Sequence, residues 1–191
     1  HTIITTRGGG TRTPGAAELA HKARILRNHG MSETRTYWHD HLGFNDRMTT
    51  LQPAIGASQL ERIDEILKTK IALAQRYKDL LKDVPGVIQP PDVPGIKNVY
   101  WMYGVVLADD VPYDAAEFAS RLRARGVDTR PFFIGMHEQP VFLDRGMFAG
   151  ESYPVAGRIA RRGLYLPSGL AITDEQIDRV CDAVRQVLIA G

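Results

Sequence analysis

The chain has 191 residues, 43% of them hydrophobic, and its 24 Lys and Arg against 22 Asp and Glu leave a formal charge of +2. This length suits one domain or two small ones, and the near-balanced charge gives no electrostatic basis for binding nucleic acid or an anionic membrane. No apolar run reaches the roughly 18 residues that a membrane span needs. A single cysteine, Cys181, excludes an internal disulfide, and a reducing cytoplasm is the expected location.

The first 49 residues predict a strand pair, a helix and a long loop. Residues 3–13 combine β-branched residues with a triple glycine, which is typical of a strand, a turn and a second strand. Apolar residues at helical spacing predict a helix over about 16–29, ended by Gly30 in a left-handed conformation. The polar and aromatic segment 31–49 is a loop of a length that is typical of functional loops.

A long helix is predicted next. Thr50 is placed to cap it, Pro53 falls in its first turn, and a break is expected near Gly56. Apolar residues then repeat every three or four positions over 59–82, a helix of ~36 Å at 1.5 Å per residue. Prolines and glycines between 85 and 95 mark a domain change. The predicted parts are therefore 1–58, a connecting helix over 59–84, and a small domain over 85–191.

The pattern beyond residue 97 is α+β. Capping boxes are expected at Asp114 with Glu117 and at Thr173 with Gln176. The predicted elements are a strand over 98–108, a helix over 114–125, an extended piece over 127–133, a helix over 155–162, a strand over 164–167 and a last helix from Thr173.

Four positions stand out as candidate chemistry in the loop over 31–49. His39 and His41 flank Asp40, but no third ligand at metal spacing is visible, so zinc is disfavoured. Asn45 and Arg47 share a face if the loop is extended, and an amide beside a guanidinium suits a phosphate or a carboxylate. The alternative for Arg47 is a surface ion pair with a nearby aspartate.

Two further candidates lie in the aromatic and proline-rich stretch 130–140. Arg130 could bind an anion or tie the loop to a carboxylate, and His137 could be catalytic or structural. Local sequence alone leaves these alternatives open. It shows no Ser-His-Asp pattern, no Walker loop and no dinucleotide motif.

Eight segments, in order along the chain, resemble the sugar-nucleotide aminotransferases of the DegT/DnrJ/EryC1/StrS family. The resemblance covers nearly all of this chain but only the C-terminal half of such an enzyme. The segments are 26–32 (LRNHGMS), 37–40 (YWHD), 43–49 (GFNDRMT), 54–56 (AIG), 59–65 (QLERIDE), 97–103 (KNVYWMY), 127–133 (VDTRPFF) and 163–168 (GLYLPS).

The resemblance implies a fold, a reaction and partners. The fold is the C-terminal portion of the aspartate-aminotransferase type, pyridoxal-phosphate fold type I: the end of a large α/β domain with its dimer-contact loop, a long connecting helix and a small α+β domain. The reaction is amination at C4 of a keto-deoxysugar nucleotide, with glutamate as donor and pyridoxal 5'-phosphate as cofactor. The expected assembly is a homodimer or a complex with a separate N-terminal half.

The resemblance also implies roles for the candidate residues. Asn45 and Arg47 would reach the cofactor phosphate and the donor carboxylate in a partner's site, whereas His137, His39 and Arg130 would face the sugar substrate. The position of the family's Schiff-base lysine holds Thr2, and no other lysine is an obvious substitute. A transaminase without that lysine lacks its cofactor tether and its proton shuttle.

Two hypotheses follow. In the first, the chain is an aminotransferase half that is inactive alone. The alternative is a non-catalytic remnant, the product of an interrupted gene, that at most dimerises or binds a sugar nucleotide. In either case the apolar faces of residues 1–58 are expected to be exposed, because the sheet that would cover them is missing.

Overall fold

A computed structural model describes residues 3–6 and 15–189. The chain divides into two compact units, His1–Asp64 and Glu65–Gly191. The predicted division into three parts, 1–58, 59–84 and 85–191, concerns domains and not compact units, and it stays a prediction. Among the described residues, no helix is both long enough and apolar enough to cross a bilayer.

The first unit contains two helices and a loop that folds back on the first. Helix α1 spans Ala17–Arg27 and α2 spans Leu51–Glu61, and neither has a buried residue. Gly30 has the predicted left-handed conformation, φ +65°, but α1 already ends at Arg27. His29, at φ +62°, is the first left-handed residue after the helix, and the N–H of Gly30 donates to the Ile25 carbonyl at 3.0 Å. The loop returns to the end of this helix, where the N–H of Phe44 donates to the carbonyl of Leu26 at 2.7 Å.

Three expectations for this unit are corrected. Residues 3–6 are not a strand, and residues 7–13 lie outside the described residues. Thr50 makes no side-chain cap; instead the side chain of Gln52 accepts the N–H of Thr49 at 2.9 Å. The break falls at Arg62 and not at Gly56, because α2 runs through that glycine.

The second unit is built on helix α3, Ile63–Leu81. At 1.5 Å per residue its 19 residues give ~28 Å, shorter than the predicted helix. It buries Lys70, Leu73, Ala74, Tyr77 and Leu81, a stripe at the spacing of one helix face.

A four-stranded antiparallel sheet lies against this stripe. Its order is β1-β2-β4-β3, and the strands are β1 Val87–Ile88, β2 Tyr103–Leu107, β3 Arg130–Pro131 and β4 Gly163–Leu166. Alternate residues of the two central strands are buried: Tyr103, Val105 and Leu107 on β2, Leu164 and Leu166 on β4.

Two more helices complete the same core. Helix α4, Ala115–Arg123, contributes Phe118 and Leu122; helix α7, Asp174–Ile189, contributes Ile177, Val180, Cys181, Val184 and Val187. Both predicted N-termini are confirmed. The Asp114 carboxylate accepts the N–H groups of Ala116 and Glu117 at 3.0 Å, and Thr173 and Gln176 bond reciprocally.

Two predicted strands are shorter than expected. Residues 98–102 are not in β2, because Tyr100 adopts φ +45° and its N–H donates to Asn98 Oδ1 at 2.9 Å, which turns the chain before the sheet. Of 127–133, only Arg130 and Pro131 pair with β4. The remaining elements are a 3-10 turn at Met136–Glu138, α5 at Pro140–Leu143 and α6 at Pro154–Arg162.

Candidate functional site

The candidate residues of the first unit lie where its loop crosses the end of α1. Gly30 and Gly43 pass each other so closely that a Cβ on Gly30 would lie 2.0 Å from the His41 carbonyl oxygen. A Cβ on Gly43 would meet the Gly30 nitrogen at the same distance. Only glycine at both positions permits this crossing, which fixes where the following residues emerge.

Asn45 and Arg47 follow this crossing, and both contact Asn28 at the C-terminal end of α1. Asn45 forms a β-bridge with Asn28, and the Arg47 guanidinium donates to Asn28 Oδ1 at 3.2 Å. Among the described residues, no carboxylate forms an ion pair with Arg47, so the proposed pairing with Asp40 or Asp46 is not made. An exposed guanidinium held by a neutral amide keeps donors free for an anion. Asn28 was missed by the sequence reasoning, although it lies within one of the family segments.

His39 belongs to the same crossing. Its backbone bridges Met31, and its Nδ1 lies 2.9 Å from the His29 carbonyl oxygen. Because a carbonyl only accepts, this bond requires the proton on Nδ1 and leaves Nε2 as the free ring nitrogen. His39 is therefore oriented, with Nε2 available to a ligand. No group of three metal-ligating side chains comes together within 3–6 and 15–189.

The candidate residues of the second unit lie on the loop after β3. His137 is largely buried, contacts the tilted ring of Tyr153 with ring centroids 4.6 Å apart, and places Nε2 3.4 Å from Glu138 Oε1. Arg161 on α6 donates to both oxygens of Glu138, at 3.1 and 2.5 Å. This bidentate bond, together with the nearby His137, lowers the pKa of the Glu138 carboxyl. The Glu138 carboxylate thus contacts both Arg161 and His137, and it holds the His137 imidazole in place.

Arg130 occupies a different environment. It is exposed on β3, directly opposite Tyr165 of β4, and its side chain forms no hydrogen bond or ion pair with another described residue. The structure thus keeps Arg130 on the sheet and His137 on the loop beyond it. Sequence reasoning missed the Glu138–Arg161 pair, which spans 23 positions and has no local signal.

Two lysines of the second unit already have partners within the chain. Lys70 is 4% exposed, and its Nζ donates to the carbonyls of Trp101 at 3.0 Å and Ser168 at 2.5 Å. Lys78 pairs with Asp92. Thr2, at the family's lysine position, lies outside the described residues.

Comparison with known proteins places this geometry in a family. Residues 1–185 match the model of the DegT/DnrJ/EryC1/StrS aminotransferase family. GDP-perosamine synthase of Caulobacter vibrioides is 37% identical over 188 residues, which cover 98% of this chain and 50% of that protein. The chain spans about half the length of the curated relatives it matches.

Solved structures agree with the sequence match. The aminotransferase TlmJ from Streptoalloteichus hindustanus superposes with a TM-score of 0.79 at 29% identity, over 92% of this chain and 46% of that one. DesI, solved in the presence of its TDP-sugar product, gives a TM-score of 0.82 at 27% identity, over 97% and 47%. The predicted family and the predicted fold class are confirmed: the chain matches about half of the fold of fold type I sugar aminotransferases.

Proposed function

The chain belongs to the DegT/DnrJ/EryC1/StrS aminotransferase family, and on that premise we propose that it is the C-terminal half of a sugar-nucleotide 4-aminotransferase. The substrate is a keto-deoxysugar nucleotide, and glutamate is the amino donor. The chain works with an N-terminal half that supplies the Schiff-base lysine, in an assembly that contains two copies of the complete fold.

The observation that carries this proposal is the state of the Arg47 side chain. It is oriented by a hydrogen bond to Asn28, it has no ion-pair partner among the described residues, and it lies on a loop whose path Gly30 and Gly43 fix. Both the donor acid and the cofactor phosphate are anions, and a guanidinium with free donors binds such groups with defined geometry. Asn45 lies beside it on the same bridge. We assign this pair to the anionic groups of a site completed by a partner.

A second observation supports the need for a partner. Neither helix of the first unit has a buried residue, and the unit exposes large apolar side chains, among them Leu42 at 92% exposure. Isolated exposed apolar residues are ordinary, but a unit without a buried apolar residue on either helix lacks its own core. These side chains are Leu19, Tyr37, Trp38, Leu42, Phe44, Met48, Leu51, Ile55 and Leu60. The expected exposure over 1–58 is thus confirmed for all of these residues except Leu60, which lies beyond that range, and we assign the surface to the N-terminal half.

The residues present fit pyridoxal phosphate in part. Arg47 and Asn45 suit its anionic end, whereas Lys70 and Lys78 already have partners within the chain, and we assign the tether to the N-terminal half. The chemistry that the cofactor supplies when bound is temporary carriage of the amino group from glutamate to the keto carbon. This chain's own contributions are binding of the anions by Arg47 and orientation of the sugar by His39 and His137. The His29 carbonyl sets the ring position of His39, and Glu138 sets that of His137.

Complementation tests the proposal. The chain is co-expressed with the part of the Caulobacter vibrioides enzyme that the match does not cover, extended through its Schiff-base lysine, and supplied with keto-sugar nucleotide and glutamate. We expect no amination from the chain alone and amination from the pair, read as aminated sugar nucleotide and 2-oxoglutarate by mass spectrometry. Arg47→Ala should abolish it, whereas Arg47→Lys keeps the charge and should retain part of it. Absence of amination in every combination, with both chains folded and associated, would reject the proposal.

The same experiment weighs the alternative of a non-catalytic remnant. Thr2 at the lysine position favours that alternative. A second partner fragment that ends before the lysine gives a matched arm: it should be inactive with this chain and should gain activity with the Thr2→Lys variant. A remnant would associate in both arms and aminate in neither.

A further inference from the structure

The segment that joins β1 to β2 is held to the rest of the second unit at few points. Residues 89–102 form no helix or strand, and every residue from 91 to 99 is exposed. We name residues 90–99 the strap. Within it, the N–H of Ile96 donates to the Val93 carbonyl at 3.1 Å, which closes a local turn. An exposed segment without secondary structure of its own needs contacts with another element to stay in place.

One ion pair, which we name the latch, supplies such a contact. The Lys78 ammonium on α3 pairs with the carboxylate of Asp92. Among the described residues, this is the only hydrogen bond or ion pair that joins 91–99 to a helix or strand. Burial opposes the charge of Lys78, but its bond to Asp92 raises the Lys78 pKa overall, and the same bond lowers the pKa of Asp92. The latch therefore consists of two charged groups.

Tyr100 connects the latch to the aromatic core. Its hydroxyl donates to Asp92 Oδ1 at 3.3 Å, and the Lys78 Nζ lies 5.5 Å from the centroid of its ring. An ammonium at this distance over a ring is attracted to it. Tyr100 is only 8% exposed, and its ring stacks on that of Tyr103 with centroids 6.4 Å apart. Both groups of the latch therefore contact the buried tyrosine at the end of the strap.

Backbone strain works against the latch. Tyr100 adopts φ +45°, a left-handed conformation that is costly for a bulky residue. The side chain of Asp92 is 81% exposed, and an ion pair with so exposed a carboxylate contributes modest stability. Release of the strap would relieve the strain at Tyr100 at the cost of the ion pair. The latched and released arrangements therefore differ by a small free energy.

We propose that the strap is a local conformational switch: the latch holds it closed over Tyr100, and loss of the ion pair releases it while α3 and the sheet stay folded. Release moves the Tyr100 ring away from Tyr103 and exposes an aromatic surface that the latched chain keeps closed. The switch is independent of the proposed function. It needs neither the cofactor nor an N-terminal half, so it can be measured on the full chain alone.

The test is nitration of tyrosines in the folded full chain by tetranitromethane, followed by peptide mapping and mass spectrometry. Tyr37, which is 85% exposed, is the internal reference, and the fully buried Tyr77 reports global unfolding. Asp92→Asn removes the charge and keeps the shape of the side chain. It should raise the nitration rate of Tyr100 relative to Tyr37 about three- to fivefold, the change that loss of an exposed ion pair produces in a local opening equilibrium. Asp92→Glu keeps the charge and should nitrate more slowly than Asp92→Asn.

A second variant separates release of the strap from a direct effect of charge on the phenol. Because the phenolate is the form that is nitrated, charge alone would speed the reaction of Tyr100 in Asp92→Asn and slow it in Lys78→Met. The switch predicts faster nitration in both variants, since each breaks the latch.

The matched control is Asp83→Asn, which removes the same charge from an exposed pair with Lys82, 4.0 Å apart and outside the strap. It should leave the rate at Tyr100 unchanged. Equal rates for the wild-type chain and Asp92→Asn, or a slower rate in Lys78→Met, would overturn the proposal. A parallel rise at Tyr77 would overturn it as well, because the chain would then open globally and not at the strap.

Discussion

The hydroxyl of Tyr77 offers the sharpest test of how the core of the second unit is held together. Tyr77 lies on α3, is fully buried, stacks on Tyr103 with ring centroids 4.7 Å apart, and donates to the Pro167 carbonyl at 2.7 Å. Tyr77→Phe retains the ring and its stacking and removes one hydrogen bond. Because the Pro167 carbonyl loses its donor in a dry environment, the free energy of unfolding should fall by about 1–2 kcal/mol.

The same residue predicts how that difference varies with pH. Burial raises the pKa of Tyr77 far above its ordinary value of 10.0, so above pH 10 the unfolded phenol ionises while the folded one stays neutral. The stability that this group contributes is complete below pH 10 and is lost as pH rises, by about 1.4 kcal/mol per unit. The gap between the wild-type chain and Tyr77→Phe should therefore shrink between pH 9 and pH 11.

The assay is urea unfolding followed by the fluorescence of Trp101, with Trp38→Phe as the background so that one tryptophan reports. Tyr153→Phe is the control, because its hydroxyl donates to Glu151 on the surface and its loss should cost less than about 0.5 kcal/mol. A gap below about 0.3 kcal/mol at pH 7, or one that grows with pH, would refute the assignment of this hydroxyl to a buried bond.

Three further outcomes are expected. Asp114→Ala should lower the free energy of unfolding by about 1 kcal/mol by removing the cap of α4, seen as a lower urea midpoint, whereas Asp114→Asn should keep most of the cap. Gly30→Ala should speed tryptic cleavage after Arg35, since its Cβ would meet the His41 carbonyl; Gly95→Ala, also at positive φ but with nothing within 4 Å, should not. The buried Cys181 thiol, whose pKa burial raises to about 12, should react with a thiol reagent at pH 8 only after unfolding in urea, and rapid native labelling would contradict its burial.

The sequence predicted best those features whose causes are local. The capping box at Thr173 and Gln176 forms reciprocally, because side chains three residues apart are enough to make both bonds. At Asp114 only the N-cap bond forms, since the Glu117 carboxylate accepts from Arg121 instead. The left-handed conformation of Gly30 was predicted for the same kind of reason, although α1 stops at Arg27 and His29 already has positive φ. The buried stripe of α3 followed from helical periodicity alone.

Features that depend on distant partners were predicted poorly. The strand expected from residue 98 begins at Tyr103, because Asn98 and Tyr100 turn the chain and Lys70, thirty-one positions from Trp101, secures the turn. Alternating apolar residues could not reveal this. Periodicity therefore placed Trp101 within the strand predicted over 98–108, whereas it lies in the turn before β2.

The candidate site divides in the same way. Asn45, Arg47 and His39 were singled out from residue type and spacing, yet the amide that orients Arg47 is Asn28, on the other side of a loop crossing. That crossing requires Gly43 as well as Gly30, and nothing in the neighbouring residues of Gly43 indicates which backbone it must clear. The resemblance to a family supplied the roles, and the structure supplied the supporting contacts.

The outermost strands of the sheet have a consequence for how this chain can associate. Each of the two, β1 and β3, is only two residues long, and Pro131 in β3 has no N–H to offer. Margins this short cannot template a strand from another molecule, which protects the sheet from growing into a fibre. A partner that contacts this sheet is therefore expected to do so through side chains, and not by adding a strand to it.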